Sequence, residues 1–407
     1  MEPSRGKRIC VPFESEAQYE ACVADPECFR QHLEARHAEH PELFPARVAE
    51  GFGFHDKSWS LKQQLWTRRI ELTATEERCQ IRPSFVLPSM TARTEEVEKA
   101  LYLRHGGVPF DALASVFGRN AMFWYRAEVA LGRPSLVGST VKQPQRLPED
   151  LLADEKHTWA LGHKIYVPTT VGGGGILGAA VAKSASAEAL EVAYGEFAQE
   201  ARERSPAYSP KTVCTDGWDA TQSAWKSLFP AGCIILCFLH SALTVAERCG
   251  RDLVLRTRVL ARVWEVYQAP TRAQFSQRLR RLREWATTPL SEGVVREMVL
   301  KLCRKGPQFV HAYRFPTAHR TSNALDRLMH HQDRRLYAMR YLHGTPESAR
   351  LAVRAMALQW NFHPYGARCR GDDRTRCSPF HDLNGFEYHP NWLHNLLIAS
   401  SMGGRRL

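Results

Sequence analysis

The sequence predicts an α/β fold on a mixed sheet, with a helical unit ahead of it and an all-helical insertion after it. Three observations carry this. Between residues 148 and 240 the apolar runs come in the order strand, strand, strand, helix, strand, helix, strand, the alternation of a layered mixed sheet. Residues 94–133 divide into three short helices separated by glycines. Residues 241–315 are basic and read as helical, and show no second α/β sheet.

The sheet region opens with "RLPEDLLADEKH", followed by the strand "HKIYVPTTVG" and, after a glycine turn, "GILGAAVAKS". The run "VGGGGILG" (Val171 to Gly178) lacks Gly-Lys-Ser/Thr and lies between two strands, so it predicts a hairpin turn and not a phosphate loop. The helix "SAEALEVAYGEFAQEARER" places Leu190, Ala193, Tyr194 and Phe197 on one face. "TVCTDGWDATQSAWKSLFPAGCIILCFLH" (Thr212 to His240) then reads as a strand ending at Asp216, an amphipathic helix, and a strand ending in Cys237-x-x-His240.

Ahead of the sheet, residues 14–50 read as helix broken at Pro26 and Pro41. Cys22, Cys28, His37 and His40 fall in this stretch, but the Cys-x5-Cys gap is wide for zinc and no second pair supports it. A small helical cap is expected. "RRIELTA" and "CQIRPSFVL" are strand-like, completing an N-terminal unit, 1–93. In residues 94–147 the first helix runs from Thr94 to Arg104 and is broken by Gly106 and Gly107. The second, Pro109 to Phe117, carries Phe110, Leu113, Ala114 and Phe117 at helical spacing. After Gly118 the third runs from Asn120 to Leu131. This is a helix-turn-helix pattern, with Arg119, Asn120, Tyr125, Arg126 and Arg133 available to double-stranded DNA. A plain three-helix bundle is the other reading, since Phe123, Trp124 and Leu131 need cover. Residues 134–147 are polar and predict a linker.

Composition bounds the partners. The 407 residues are 44% hydrophobic and 24% charged, which suits a globular chain with a sizeable core. No apolar run approaches the roughly eighteen residues of a membrane span, so no membrane partner is expected. The start, "MEPSRGKRICVPFESEAQYE", lacks the apolar region of a secretory signal, and a cytoplasmic location is expected. The eleven scattered cysteines read as reduced thiols. A net charge of +12 favours a polyanionic partner, most simply nucleic acid.

Three acids stand out by placement. Asp154 ends a short apolar run at the first strand, Asp216 ends the fourth strand, and Asp326 lies near the start of a helix beyond the insertion. Sites in open α/β sheets form at strand ends and the loops after them. If the first and fourth strands are neighbours, Asp154 and Asp216 share one site, with Asp326 completing it. Glu155 is an alternative to Asp154. Clustered carboxylates call for a cation, and oxygen ligands select Mg²⁺ or Mn²⁺. Two such ions support in-line displacement at a phosphodiester. Each acid also has a structural reading: a turn at Asp216, a helix cap at Asp326, a solvated strand end at Asp154.

Together "ADEKH", "TDGWDATQSAWKSLFPAGCIILCFLH", "VWEVYQAPTRAQFSQRLRRL", "HRTSNALDRLM" and "ALQWNF" resemble a DDE/DDD-type transposase of a bacterial insertion sequence, with a Mutator-like layout. The resemblance covers about residues 94–362. It implies a ribonuclease H-like core in residues 148–240 and 316–365, split by the helical insertion 241–315, with 366–407 as a tail. It implies two divalent ions held by Asp154, Asp216 and Asp326, cleavage of element ends, and joining of the freed 3′-hydroxyl to target DNA. It also implies a dimer or larger assembly on DNA, in the cytoplasm at the bacterial nucleoid. Asp326 stands where glutamate is usual in that family, and Asp333 and Glu347 are alternatives on the same helical region. Cys237 and His240 match a Cys-x-x-His that follows the second acid. His240 is expected at the site or on a phosphate, and Cys237 in packing. Arg320 and Asn323 are read as phosphate contacts or as helix caps. A DNA-binding regulator that has lost catalysis, or a nuclease of the same fold, fits the same residues.

Overall fold

A computed structural model describes residues 7–405 apart from 89, 289, 291 and 374. The first six residues, which begin the segment expected to lack a secretory signal, and the last two lie outside the described residues.

Near the N-terminus, β1 (Lys7–Val11), β2 (Phe52–Ser60), β3 (Leu65–Leu72) and β4 (Arg78–Pro83) form a sheet in the order β1-β4-β3-β2. The strand-like runs expected near 68–74 and 79–87 correspond to β3 and β4. Sequence reading missed β1 and β2. The reason is visible in β2: it alternates only between half-buried and exposed positions, and a bulge interrupts it between Phe54 and Asp56, so it lacks an apolar face. Helices Glu16–Ala24 and Pro26–Glu39 cover this sheet, with Pro26 opening the second helix and Asp25 capping it. Cys22 and Cys28 lie side by side, but His37 packs edge-on against Phe44 and His40 against Phe386 and Tyr388. The four do not gather into a metal set, in line with the helical cap.

The second sheet contains β5 (Asp150–Ala160), β6 (His163–Gly172), β7 (Gly175–Ala179), β8 (Thr212–Thr215) and β9 (Cys233–Leu236), in the order β7-β6-β5-β8-β9. The β5–β6–β7 pairs are antiparallel, and β8 and β9 add on parallel to β5. It is a mixed sheet, and the glycine run is the β6–β7 turn, as expected. One face packs against helices Ala187–Arg204 and Asp219–Leu228 through Leu151, Ala153, Val213, Tyr194, Phe197 and Trp225. Leu190, Ala193, Tyr194 and Phe197 are all buried there. The other face, including Leu152, Cys214 and Ile235, joins one continuous core with helices Asn323–Ala338 and Pro346–Phe362 and with the N-terminal sheet.

Three helices, Thr94–His105, Phe110–Phe117 and Ala121–Ala130, occupy the expected places. On the middle one only Leu113 is fully buried, and Phe110, Ala114 and Phe117 are half-buried. They are welded to the rest by a buried ion triad. Arg104 Nε donates to Glu128 Oε2 at 2.8 Å, Arg335 donates to the other oxygen of Glu128, and all three side chains are at most 1% exposed.

Two expectations give way. Residues 135–142, read as linker, are buried and form the short helix Leu136–Thr140. Their Ser, Gly and Thr serve close packing: a Cβ on Gly138 would lie 1.7 Å from the Gly404 carbonyl oxygen. The segment read as a tail is likewise part of the core, while its one apolar stretch, "NWLHNLLIAS", does form a helix as its sequence suggests. Every residue of helix Trp392–Ala399 is buried, Lys142 Nζ donates to Ala399 O at 2.8 Å, and Ser401 Oγ accepts from Cys10 N at 3.0 Å. The insertion does hold its own core, built from Val259, Val263, Phe275, Leu282, Val299, Leu302 and neighbours. Among the described residues no helix is long and apolar enough to cross a membrane.

Candidate metal centre

The condition set by the sequence is met: β5 and β8 are neighbours. Their parallel register ends at Leu152↔Cys214, so continuing it two residues places Asp154 beside Asp216. Asp154 lies in mid-strand rather than at a strand end, because β5 runs on past it to pair with β6 alone. Strand alternation then separates the two adjacent acids. Asp154 faces helix Asn323–Ala338. Glu155 points to the opposite face, where its Oε1 accepts from Tyr194 Oη at 2.6 Å and Thr221 Oγ1 at 2.7 Å. The choice between them is therefore Asp154.

Asp154, Asp326 and His240 each offer a ligand atom, all within 4.8 Å of one another, and this set can hold a metal ion. Asp326 sits in the first turn of Asn323–Ala338. His240 comes from the first turn of helix Phe238–Arg248, capped by Cys237 directly after β9. Asp216 is outside this tight set. Its Oδ1 accepts from Trp218 N at 2.8 Å, and it borders a cavity of about 190 Å³ that His240 also lines. It still acts on the centre, as its charge helps raise the Asp154 carboxyl. Gly217 is required after it: φ is +97°, and a Cβ would meet Leu236 Cδ1 at 2.3 Å.

Burial, then the charge of Asp216, raises Asp154 to about 6, with His240 opposing. Burial also raises Asp326. Such carboxylates are short of positive charge, which a cation relieves. Two carboxylates and an imidazole suit Mn²⁺ better than Mg²⁺, which prefers oxygen alone.

Cys237 packs in the core, as expected, and His240 is at the site, hydrogen-bonded to Ser322 beside the acids. A hydrogen bond from Cys214, together with those from His240 and Ser322, holds the Cys237 thiol well below its usual range. The bond to Cys237 and the nearby acids hold the His240 imidazole above its own. Ser322 is the residue that sequence reasoning missed. Its backbone N–H donates to Cys237 Sγ at 3.2 Å, and its hydroxyl lies 3.3 Å from His240 Nδ1 and 3.4 Å from Asp326 Oδ1. Its signal was its place, as N-cap, four residues before Asp326.

The remaining candidates lie elsewhere. Arg320 is tied to Tyr267 O at 2.7 Å and Tyr313 Oη at 2.9 Å, between their two rings. It clamps the insertion. Asn323 is exposed and follows the cap residue Ser322. Asp333 pairs with Lys156 at 2.6 Å and Glu347 with Arg350 at 3.4 Å, so neither replaces Asp326. On the third short helix, Asn120 is the N-cap, accepting from Phe123 N at 2.8 Å. Arg119 reaches Glu96 at 3.8 Å, and Tyr125 packs edge-on against Phe110. Arg126 and Arg133 are exposed. Arg133 borders a second, larger cavity of about 560 Å³ with Lys7, Arg8 and Arg82.

Compared with known proteins, the chain matches no family model and no curated protein.

Proposed function

We propose that this chain is a divalent-metal-dependent DNA transposase of the insertion-sequence type, with a ribonuclease H-like catalytic core and a helix-turn-helix that reads element ends. The observation that carries the reading is the convergence of Asp154, Asp326 and His240 against β5 of a mixed sheet, with Asp216 in register beside Asp154. Strand order supports it: three antiparallel strands followed by two parallel ones, then an insertion with its own core before the helix bearing the third acid. The net charge of +12 suits a DNA partner.

Asp154, Asp326 and His240 would hold the ion, with Asp216 on the side of a second. Bound there, Mg²⁺ or Mn²⁺ supplies positive charge to the phosphate oxygens on which charge develops. The protein's own part is to keep the acids together. The His240 imidazole, hydrogen-bonded to Ser322, lies within 4.8 Å of ligand atoms of both Asp154 and Asp326. The three short helices would set the duplex against the core, fixed to the Asp326 helix through Glu128.

The second reading, a DNA-binding regulator without catalysis, has one observation in its favour. A protonated His240 neutralises the acids by itself, without an ion. One assay separates the readings. Labelled DNA carrying candidate terminal repeats is incubated with the protein and Mg²⁺ or Mn²⁺, in parallel with Asp216→Asn. Cleavage and joining by the wild type, lost in the variant, are expected. Cleavage without joining would make the protein a nuclease. Equal cleavage by both would remove Asp216 from the site, and binding without cleavage would favour the regulator. The active complex is expected to contain two or more copies, and a monomeric end complex in solution would count against that.

A further inference from the structure

The cavity of about 190 Å³ beside Asp216 has a wall that the acid centre does not use. That wall is Lys301 and Lys305, with Met298 and Leu302, from helix Val294–Arg304 of the insertion and the residue after it. The opposite wall holds Asp216, His240, Ser241 and Thr244. Lys305 is half-buried, and its Nζ would lie 3.7 Å from a Cβ placed on Gly217, so its charge stands over the Asp216 turn. Lys301 is exposed on the same helix, one turn away. Ser241 supplies an independent observation. Its Oγ is buried and makes no hydrogen bond among the described residues. Thr244, by contrast, spends its hydroxyl on the His240 carbonyl at 2.9 Å.

A buried hydroxyl without a partner is unfavourable, so a polar group is expected to reach it. The ligand must also suit two ammonium groups. If the lysines only balanced Asp216, one would suffice, and a cation at the acids would leave both in excess. Lysine binds phosphate as a point charge, and the space accommodates one phosphate with water. We infer that Lys301, Lys305 and the Ser241 hydroxyl form a phosphate subsite, by which the insertion seats one backbone phosphate of a DNA strand next to Asp216. This rests on the proposed function for the identity of the strand, not for the anion chemistry. The insertion thereby has a task in substrate positioning.

The test uses the full chain and a DNA duplex carrying the candidate terminal repeats. Lysine acylation with and without DNA is read by mass spectrometry, and binding is measured over a range of salt. Lys301 and Lys305 are expected to be shielded by DNA, while Lys211, at the other end of β8, stays reactive. Lys301→Gln and Lys305→Gln should each lower the slope of log affinity against log salt, by about 0.9 for the two together, the share of one phosphate. Lys305→Arg should restore it, and all variants should melt as the wild type does. DNA that is bound and cleaved with both lysines unshielded and both slopes intact overturns the subsite and leaves the proposed function standing. Shielding and reduced slopes without metal-dependent cleavage keep the subsite and overturn the transposase reading. No DNA binding at all overturns both.

Discussion

A neutral amide at position 154 or 326 keeps the side-chain shape but removes a charged ligand oxygen. Asp154→Asn and Asp326→Asn are each expected to weaken Mn²⁺ binding at least about tenfold, or about 1.4 kcal/mol, by titration calorimetry. Asp216→Asn should weaken the first bound ion less, because Asp216 lies outside the set drawn within 4.8 Å, yet should still abolish cleavage. An equal loss of affinity in all three variants would put Asp216 in the same set. At this scale the sequence named both acids of the cluster, because an acid after an apolar run and an acid at a helix start are visible in a pattern, although Asp154 proved to lie in mid-strand. It gave His240 only a general place near the site, and it did not show Ser322, since both depend on how a helix from residue 238 meets one from residue 323.

Between elements, the buried Arg104–Glu128–Arg335 triad joins the first and third short helices to the helix carrying Asp326. Arg104 also lies 4.2 Å over the Phe110 ring, so all three short helices meet at this point. Burial opposes the charge on Glu128, but the two guanidiniums outweigh it and hold the carboxyl below its usual range. Removing that charge leaves two cations buried without their partner. Glu128→Gln should therefore cost about 3–5 kcal/mol of stability, measured by denaturant unfolding. A loss below about 1 kcal/mol would mean that the triad is hydrated rather than sealed. The helices themselves were legible from glycine punctuation and apolar spacing. The triad was not, as its members are 24 and 207 residues apart and look like ordinary surface charges.

Across the whole molecule, three rings from distant segments meet. His105 stacks on His363 with centroids 3.7 Å apart and lies tilted against His331 at 4.2 Å. Burial, followed by neighbouring cations, lowers all three: His363 to about 4, His331 to about 2, and His105 further. The sign follows from proton uptake. Below the ordinary value of 6.5 the unfolded chain binds protons that the folded one refuses, so stability falls as pH falls through the window from 6.5 to about 4. Each histidine contributes up to about 1.4 kcal/mol per pH unit there. The melting temperature should drop steeply below about pH 6.5, and His331→Phe should flatten the slope. An unchanged slope in that variant would remove the stack from the acid response.

The sequence by itself determined the mixed sheet, the three short helices, the basic insertion and the pair of acids, because each is written in local periodicity, glycine breaks or charge. Only the tertiary structure decided that residues 135–142 and 392–399 are core rather than linker and tail. A short stretch with Ser, Gly and Thr such as 135–142 reads alike in sequence whether water or another backbone lies against it, and the apolar 392–399 shows a helix but not the partner it packs on. It was likewise tertiary packing that placed His240 and Ser322 with Asp154 and Asp326, set Asp216 to one side, and brought Lys301 and Lys305 of the insertion to face it. Those placements follow from how distant elements pack, which no local pattern encodes.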